Sequence, residues 1–242
     1  MTLLEQLADS VGEGKAKEVR VGYFTTAVVS QLSDGRTFCG LASTLRAGHC
    51  CGPARFAGKM NGMPLKELAR LAVTAHGLEA SIGMAAINAA LPEREFEQLN
   101  AEELLAAKAA EKTVAVIGHF PFTERLRKIA GKLLVFELDP KDGHDLPSEK
   151  IPEMLPQADI IAISALTLLN RTFDEILASC KKDSYKILLG PSAPLSEIVF
   201  DYGIDVVSGV RVTDAPLLLT HLSEAANFKS LPGKCLVTMR KG

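Results

Sequence analysis

Two groups of residues in this 242-residue chain have types and spacings that could do chemistry. The first is the stretch RAGHCCGPARFAG, residues 46 to 58, where His49 stands directly before the adjacent pair Cys50 and Cys51. Thiolates and imidazole bind soft or borderline metal ions, so His49, Cys50 and Cys51 are candidate ligands for a soft ion such as Cu(I). A closed zinc site needs about four ligands, usually from two spaced pairs. One cluster here supplies at most three, and adjacent side chains point in different directions. Cys180, Cys235, His76 and His144 are isolated in sequence and do not provide a second pair. The competing reading is a glycine-rich loop carrying a free thiol pair. Five cysteines and no secretory context leave free thiols as the default.

The second group is scattered along the chain but has a common position. Each member closely follows a short apolar run. Gly118 and His119 follow TVAVI, and Glu137 ends KLLVFE. Thr167, Asn170 and Thr172 follow DIIAIS. Gly190, Pro191 and Ser192 follow KILL, and Asp214 follows DVVSG. His119 is the candidate general acid or base, because its unperturbed pKa lies near neutrality. Glu137 would orient a ligand through hydroxyl or amino groups, and Asn170 and Ser192 would supply hydrogen bonds. Each of these residues also has a plain structural reading: Thr172, Ser192 and Asp214 suit helix caps, and His119 suits a packing role.

The elements that must position them divide near residue 112. Residues 3 to 11 place Leu3, Leu4, Leu7, Ala8 and Val11 on one helical face. Residues 18 to 32 are rich in β-branched and aromatic types, and Asp34-Gly35 signals a hairpin to TFCGLAS. Pro64 suits the start of a helix, and residues 78 to 91 form a strongly apolar one. Asn100, with Glu103 three residues on, starts a connecting helix. Beyond it the five apolar runs alternate with helical segments, FTERLRKIA, RTFDEILASCK, LSEIVFDYG and DAPLLLTHLSEA. Runs with few polar positions are strands buried on both faces. Their alternation with helices predicts a doubly wound parallel sheet. Ligands of such sheets bind beyond the carboxyl ends of the strands, which is where the second group lies. The expected domains are 1–110, an α+β unit, and 111–242, an α/β unit.

Composition narrows the partners. The formal net charge is −2, from 27 basic and 29 acidic residues, with no basic stripe, so nucleic acid and anionic membranes are not expected. The longest apolar run, residues 160 to 169, is about half a membrane span. The start of the chain lacks the pattern of a signal peptide. A cytoplasmic protein with a small-molecule ligand is the expectation. The apolar helix at 78 to 91 faces either the core or a second copy, so a homodimer stays open. Glu137 falls nineteen residues after Gly118, where nucleotide folds hold a ribose. Yet GHFPFT has one glycine where the dinucleotide fingerprint has three, and Pro121 removes an N–H donor. S-adenosylmethionine, which has no phosphate, is the less strained cofactor, and a methyltransferase is one alternative function.

The segments VAVIGHFPF, LLVFELDP, ADIIAISALTLLNRTFDEIL, ILLGPSAPLSEIVFDYGIDVVSG, TTAVVSQLSDGRTFCGLAS and ASIGMAAINAAL together resemble the "putative heavy-metal chelation" family. The resemblance spans nearly the whole chain. It implies an enolase N-terminal-like α+β domain followed by a Rossmann-like domain, with a site in the cleft between them. It further implies that Gly118, Glu137, Thr167, Asn170, Thr172, Gly190, Pro191 and Ser192 line the Rossmann side, faced by Thr25, Thr26 and Asn88. The loop holding His49, Cys50 and Cys51 would then close as a flap, with Arg46 and His49 reaching an anionic ligand. The expected function is binding, with or without transformation, of a pterin-, flavin- or chelator-like metabolite. The rival is non-catalytic handling of a metal ion or metal chelate, and the cofactor implied is a soft ion or its chelate.

Overall fold

The computed structural model describes residues 1–46, 53–75, 77–92, 94–140 and 143–242. Helix α1 (Leu3–Asp9) is started by a capping box: Thr2 Oγ1 accepts from Glu5 N, and the Glu5 carboxylate accepts from Thr2 N. Its stripe Leu3, Leu4, Leu7 and Ala8, continued by Val11, is buried as its periodicity requires. The β-rich stretch that follows is two strands, β1 (Gly14–Val21) and β2 (Thr25–Leu32), interrupted at Gly22, whose N–H donates to Thr25 O. The Asp34-Gly35 turn leads to β3 (Thr37–Ser43), and the three strands pair antiparallel in the order β1-β2-β3.

Helices α2 (Leu65–Thr74) and α3 (Leu78–Asn88) cover one face of that sheet. Helix α3 is apolar around its whole circumference, and Ala80 to Ile87 are all buried. Gly40 of β3 permits this. A Cβ there would overlap backbone atoms of Ala85, Asn88 and Ala89, so the helix lies directly on the strand.

Helix α4 (Ala101–Lys108), capped by Asn100 through Glu102 N, leads to the larger sheet. Its strands are β4 (Thr113–Ile117), β5 (Lys132–Glu137), β6 (Asp145–Pro147), β7 (Ile160–Ser164), β8 (Tyr185–Leu189), β9 (Val206–Val212) and β10 (Lys234–Arg240). They lie in the order β10-β9-β8-β7-β4-β5-β6, all parallel except β10, which runs antiparallel to β9. The expected mixed α/β architecture with a mostly parallel sheet is therefore present. Helices α5 (Thr123–Arg127), α6 (Ile151–Met154), α7 (Leu166–Leu169), α8 (Phe173–Ser179) and α9 (Ala215–Ser223) connect the strands. The segment LSEIVFDYG, expected to be α-helical, is a 3₁₀ helix over Glu197–Tyr202. It is short and ends at Gly203 in the left-handed region (φ 79°), so few α-type hydrogen bonds could form.

The two sheets share one core. A single cluster of buried apolar residues runs from Leu3 through Ile82 and Phe136 to Val237. Polar ties reinforce it. Ser43 N donates to Ser192 Oγ at 2.8 Å, and Arg20 Nη1 to Ser223 Oγ at 2.9 Å. Arg171 Nη2 donates to Val73 O and Ala75 O at 2.8 and 2.9 Å. Among the described residues, no helix is long and apolar enough to cross a membrane.

Candidate functional site

The sheet order reverses between β4 and β7: the chain proceeds outward to β5 and β6 on one side and to β8 and β9 on the other. Loops leaving such neighbours diverge and open a crevice at the carboxyl edge. A cavity of about 430 Å³ lies there, lined by Gly118, His119, Glu137, Ser164, Thr167, Asn170 and Thr172 on its polar side. Ile117, Phe120, Phe136, Leu138 and Leu166 supply apolar walls.

Each polar group is held by its local structure. Gly118 adopts φ 97°, and a Cβ there would lie 3.1 Å from Ser164 Cβ, so glycine lets the β4 exit turn pass close to β7. Its N–H donates to Phe136 O at 2.8 Å. Glu137 accepts from His119 N at 2.6 Å through Oε1 and from Leu138 N at 3.2 Å through Oε2. The carboxylate thereby pins the loop after β4 to the end of β5. Thr167 Oγ1 donates to Ser164 O at 2.7 Å. Asn170 Oδ1 accepts from Thr172 N at 3.2 Å and Thr172 Oγ1 at 2.8 Å, a side-chain turn that leads into α8.

His119 is anchored from behind by a residue not singled out from sequence. Its Nδ1 lies 3.3 Å from both carboxylate oxygens of Asp145, at the start of β6. The Asp145 side chain is 0% exposed and that of His119 is 38% exposed, so the acid is the buried anchor and the imidazole the accessible part. Glu149 and Glu175 also line the cavity and were likewise missed. No Lys or Arg lines it among the described residues. The site therefore presents carboxylates, one imidazole and hydroxyls, a setting that disfavours phosphate and favours cations and hydrogen-bond donors.

The remaining predicted residues lie elsewhere. Ser192 is fully buried, and its hydroxyl accepts from Ser43 N between the two sheets. Gly190 and Pro191 lead into that contact at the end of β8 and do not line the cavity. Asp214 caps α9 through Leu217 N at 3.0 Å. Thr25 and Thr26 are buried in β2; Thr26 Oγ1 lies 2.9 Å from Thr44 Oγ1, and Thr25 Oγ1 has no partner. Asn88 Nδ2 donates to Leu41 O at 2.8 Å, while its buried Oδ1 has no partner. Asn88 lines a second cleft, of about 610 Å³, between the small sheet and β9–β10.

The candidate metal ligands His49, Cys50 and Cys51 lie outside the described residues. Among those described, no three His, Cys, Asp or Glu side chains are grouped to hold a metal ion. Cys39, Cys180 and Cys235 are free thiols. Burial, with Glu18 nearby, pushes Cys39 up to about 12. Burial pushes Cys180 up to about 11 against the opposing charge of Lys186.

A mostly parallel seven-stranded sheet with a crevice at its switch point, joined to a small antiparallel sheet backed by two helices, defines a mixed α/β protein. Family models described as "putative heavy-metal chelation" match residues 4–91 and 100–241, and the chain belongs to that family. An uncharacterised protein of Methanocaldococcus jannaschii is 31% identical over 178 residues, 70% of this chain and 68% of the other. Two crystal structures of proteins of unknown function from the DUF364 family share the fold. The one from Desulfitobacterium hafniense DCB-2 has TM-score 0.86 at 23% identity, covering 99% of this chain and 98% of that one. The one from Pyrococcus horikoshii has TM-score 0.83 at 22% identity, with the same coverage.

Proposed function

We propose that the protein binds a small organic ligand in the cavity at the β4–β7 switch point and that this ligand is a metal chelator or its metal complex. One observation carries the reading: a crevice of about 430 Å³ at the carboxyl edge, with His119, Glu137, Thr167, Asn170 and Thr172 on its rim. The volume suits a small molecule. The Oδ1 of Asn170 is engaged in its own turn, so its Nδ2 is the group offered to a ligand. Glu149 and Glu175 add negative charge without nearby cations in the lining. A ligand bearing amines, hydroxyls or net positive charge satisfies these groups, and a phosphorylated nucleotide does not. The family description of heavy-metal chelation agrees with a ligand of that kind.

Native mass spectrometry of the purified protein, with elemental analysis of the same sample, tests this. The expected result is a stoichiometric small organic mass, with or without a metal, that is lost in Asn170→Ala. Retention that is indifferent to Asn170→Ala and Glu175→Ala, or that depends instead on Asn88 in the second cleft, overturns it.

A further inference from the structure

We infer that His119 is a one-point metal ligand: its Nε2 coordinates an ion that enters the cavity already held by a small chelator. The inference rests on the cavity reading above and names what recognises the ligand there. A carboxylate only accepts hydrogen bonds, so the Asp145 oxygens at 3.3 Å place the imidazole hydrogen on Nδ1. That tautomer leaves the Nε2 lone pair available, and no described residue hydrogen-bonds to Nε2. Carboxylate, imidazole, then open space is the arrangement by which a second layer orients a metal-binding histidine. Here the acid is fully buried, and the ring stands at the cavity wall, part exposed.

The rest of the lining decides how the ion arrives. A protein-only site needs three or four donors, and among the described residues no such group exists. Glu137 is committed to the amides of His119 and Leu138. One imidazole holds a bare ion weakly. An ion whose other positions are filled by an organic chelator needs only one further donor, and the apolar walls Phe120, Phe136 and Leu166 suit the chelator's body. Glu149 and Glu175 complement the positive charge of such a complex. On binding, the Nε2 lone pair replaces one water on the ion. Nδ1 keeps its hydrogen toward Asp145, and any hydrogen carried on Nε2 leaves to solvent as the ion binds.

The probe is the Cu(II)–terpyridine complex, which leaves one in-plane position open, compared with Cu(II) alone and terpyridine alone. Binding is followed by calorimetry, and coordination by electron spin echo modulation from the remote imidazole nitrogen. The expected result is that the complex binds more tightly than free Cu(II) and shows the imidazole signature. His119→Ala and His119→Gln, the latter keeping a donor for Asp145, abolish the signature. Asp145→Asn weakens binding by about 10- to 100-fold. An imidazole signature that persists in both His119 variants overturns the inference, as does free Cu(II) bound as tightly as the complex. If the complex or terpyridine binds in an Asn170-dependent but His119-independent way, this inference fails and the cavity reading stands. If neither binds and no native organic mass is retained, both fail.

Discussion

Two cavities of this molecule, the crevice at the carboxyl edge and the cleft beside β9 and β10, differ in how they are built. The crevice at the carboxyl edge takes its described lining from one contiguous part of the chain, residues 117 to 179, and its titratable groups are His119 and three glutamates. The cleft beside β9 and β10 draws on well-separated stretches of the chain, from Val29 to Cys235, and its charged groups among the described residues are Arg36 and Arg211. The first is formed by strand ends and turns, whose side chains can change without moving the sheet. The second lies where the small sheet packs on the large one. Asn88 there holds Leu41 O, and Cys39 packs among the apolar residues between β3 and α9. A cavity at loop ends is free to specialise, and a cleft at a packing seam is constrained by stability. Substitutions near the seam should therefore cost folding energy, and substitutions at the rim should change binding.

The largest effect is expected at Gly40. Any side chain there meets the backbone of α3, which cannot move without losing its seat on β3. Gly40→Ala should cost about 3 kcal/mol or more, read as a shift in the urea unfolding midpoint. A near-neutral result would mean that α3 sits loosely on β3, so that Asn88, which reaches from α3 into the seam, is not rigidly placed. Arg171→Ala comes next. Its guanidinium donates to two carbonyls at the end of α2 and so links the two units. Charged hydrogen bonds of this kind are worth about 1.5–3 kcal/mol, and Arg171→Lys should recover only part, because an ammonium lacks the planar fork.

Cys39 offers a pH-dependent version of the same contrast. Its folded-state pKa is raised to about 12 by burial, whereas an ordinary thiol titrates near 9. The native state therefore holds this proton more tightly than the unfolded state. The associated stability is complete below about pH 9 and is lost as pH rises toward about 12. The melting temperature should fall through that window, less steeply in Cys39→Ala. At pH 8 the Cys39 thiol should alkylate far more slowly than an exposed thiol, because only the thiolate reacts. An unchanged slope in Cys39→Ala, or rapid alkylation, would show the seam open to water.

Much of this was legible in the sequence, and the failures have physical causes. The parallel strands were readable because burial on both faces leaves near-continuous apolar runs such as Ile160 to Ile163. Their ends then pointed to His119, Glu137 and Asn170, which the fold brings around one crevice. Asp145 was invisible because β6 is three residues long, too short for any periodicity, and its register against Val135 is a long-range fact. Glu149 and Glu175 sit on short helical turns whose facing depends on how those turns dock. Ser192 and Asp214 illustrate the opposite case. Both follow strands at the expected edge, yet one is spent on a contact between sheets and the other on a helix cap. Position at a strand end selects candidates, and only the local hydrogen bonds separate a ligand contact from a turn.

The smallest stability effect, and the sharpest test of the contrast, belongs to Glu149 and Glu175. Both are exposed, and neither carboxylate makes a hydrogen bond or ion pair among the described residues. Glu149→Gln and Glu175→Gln should each leave stability within about 0.5 kcal/mol, as surface substitutions do. Their carboxylates nevertheless face the crevice, so neutralising both should weaken a cationic ligand and leave a neutral one of the same shape unaffected. Added salt should weaken the cationic ligand in the unaltered protein and have less effect in the double variant, because the screened attraction is already gone. If the double variant binds both ligands equally well at low salt, the negative lining is incidental, and the rim has no more specificity than the seam. If it loses stability along with binding, the rim is structural too, and the distinction between the two cavities fails at its functional end.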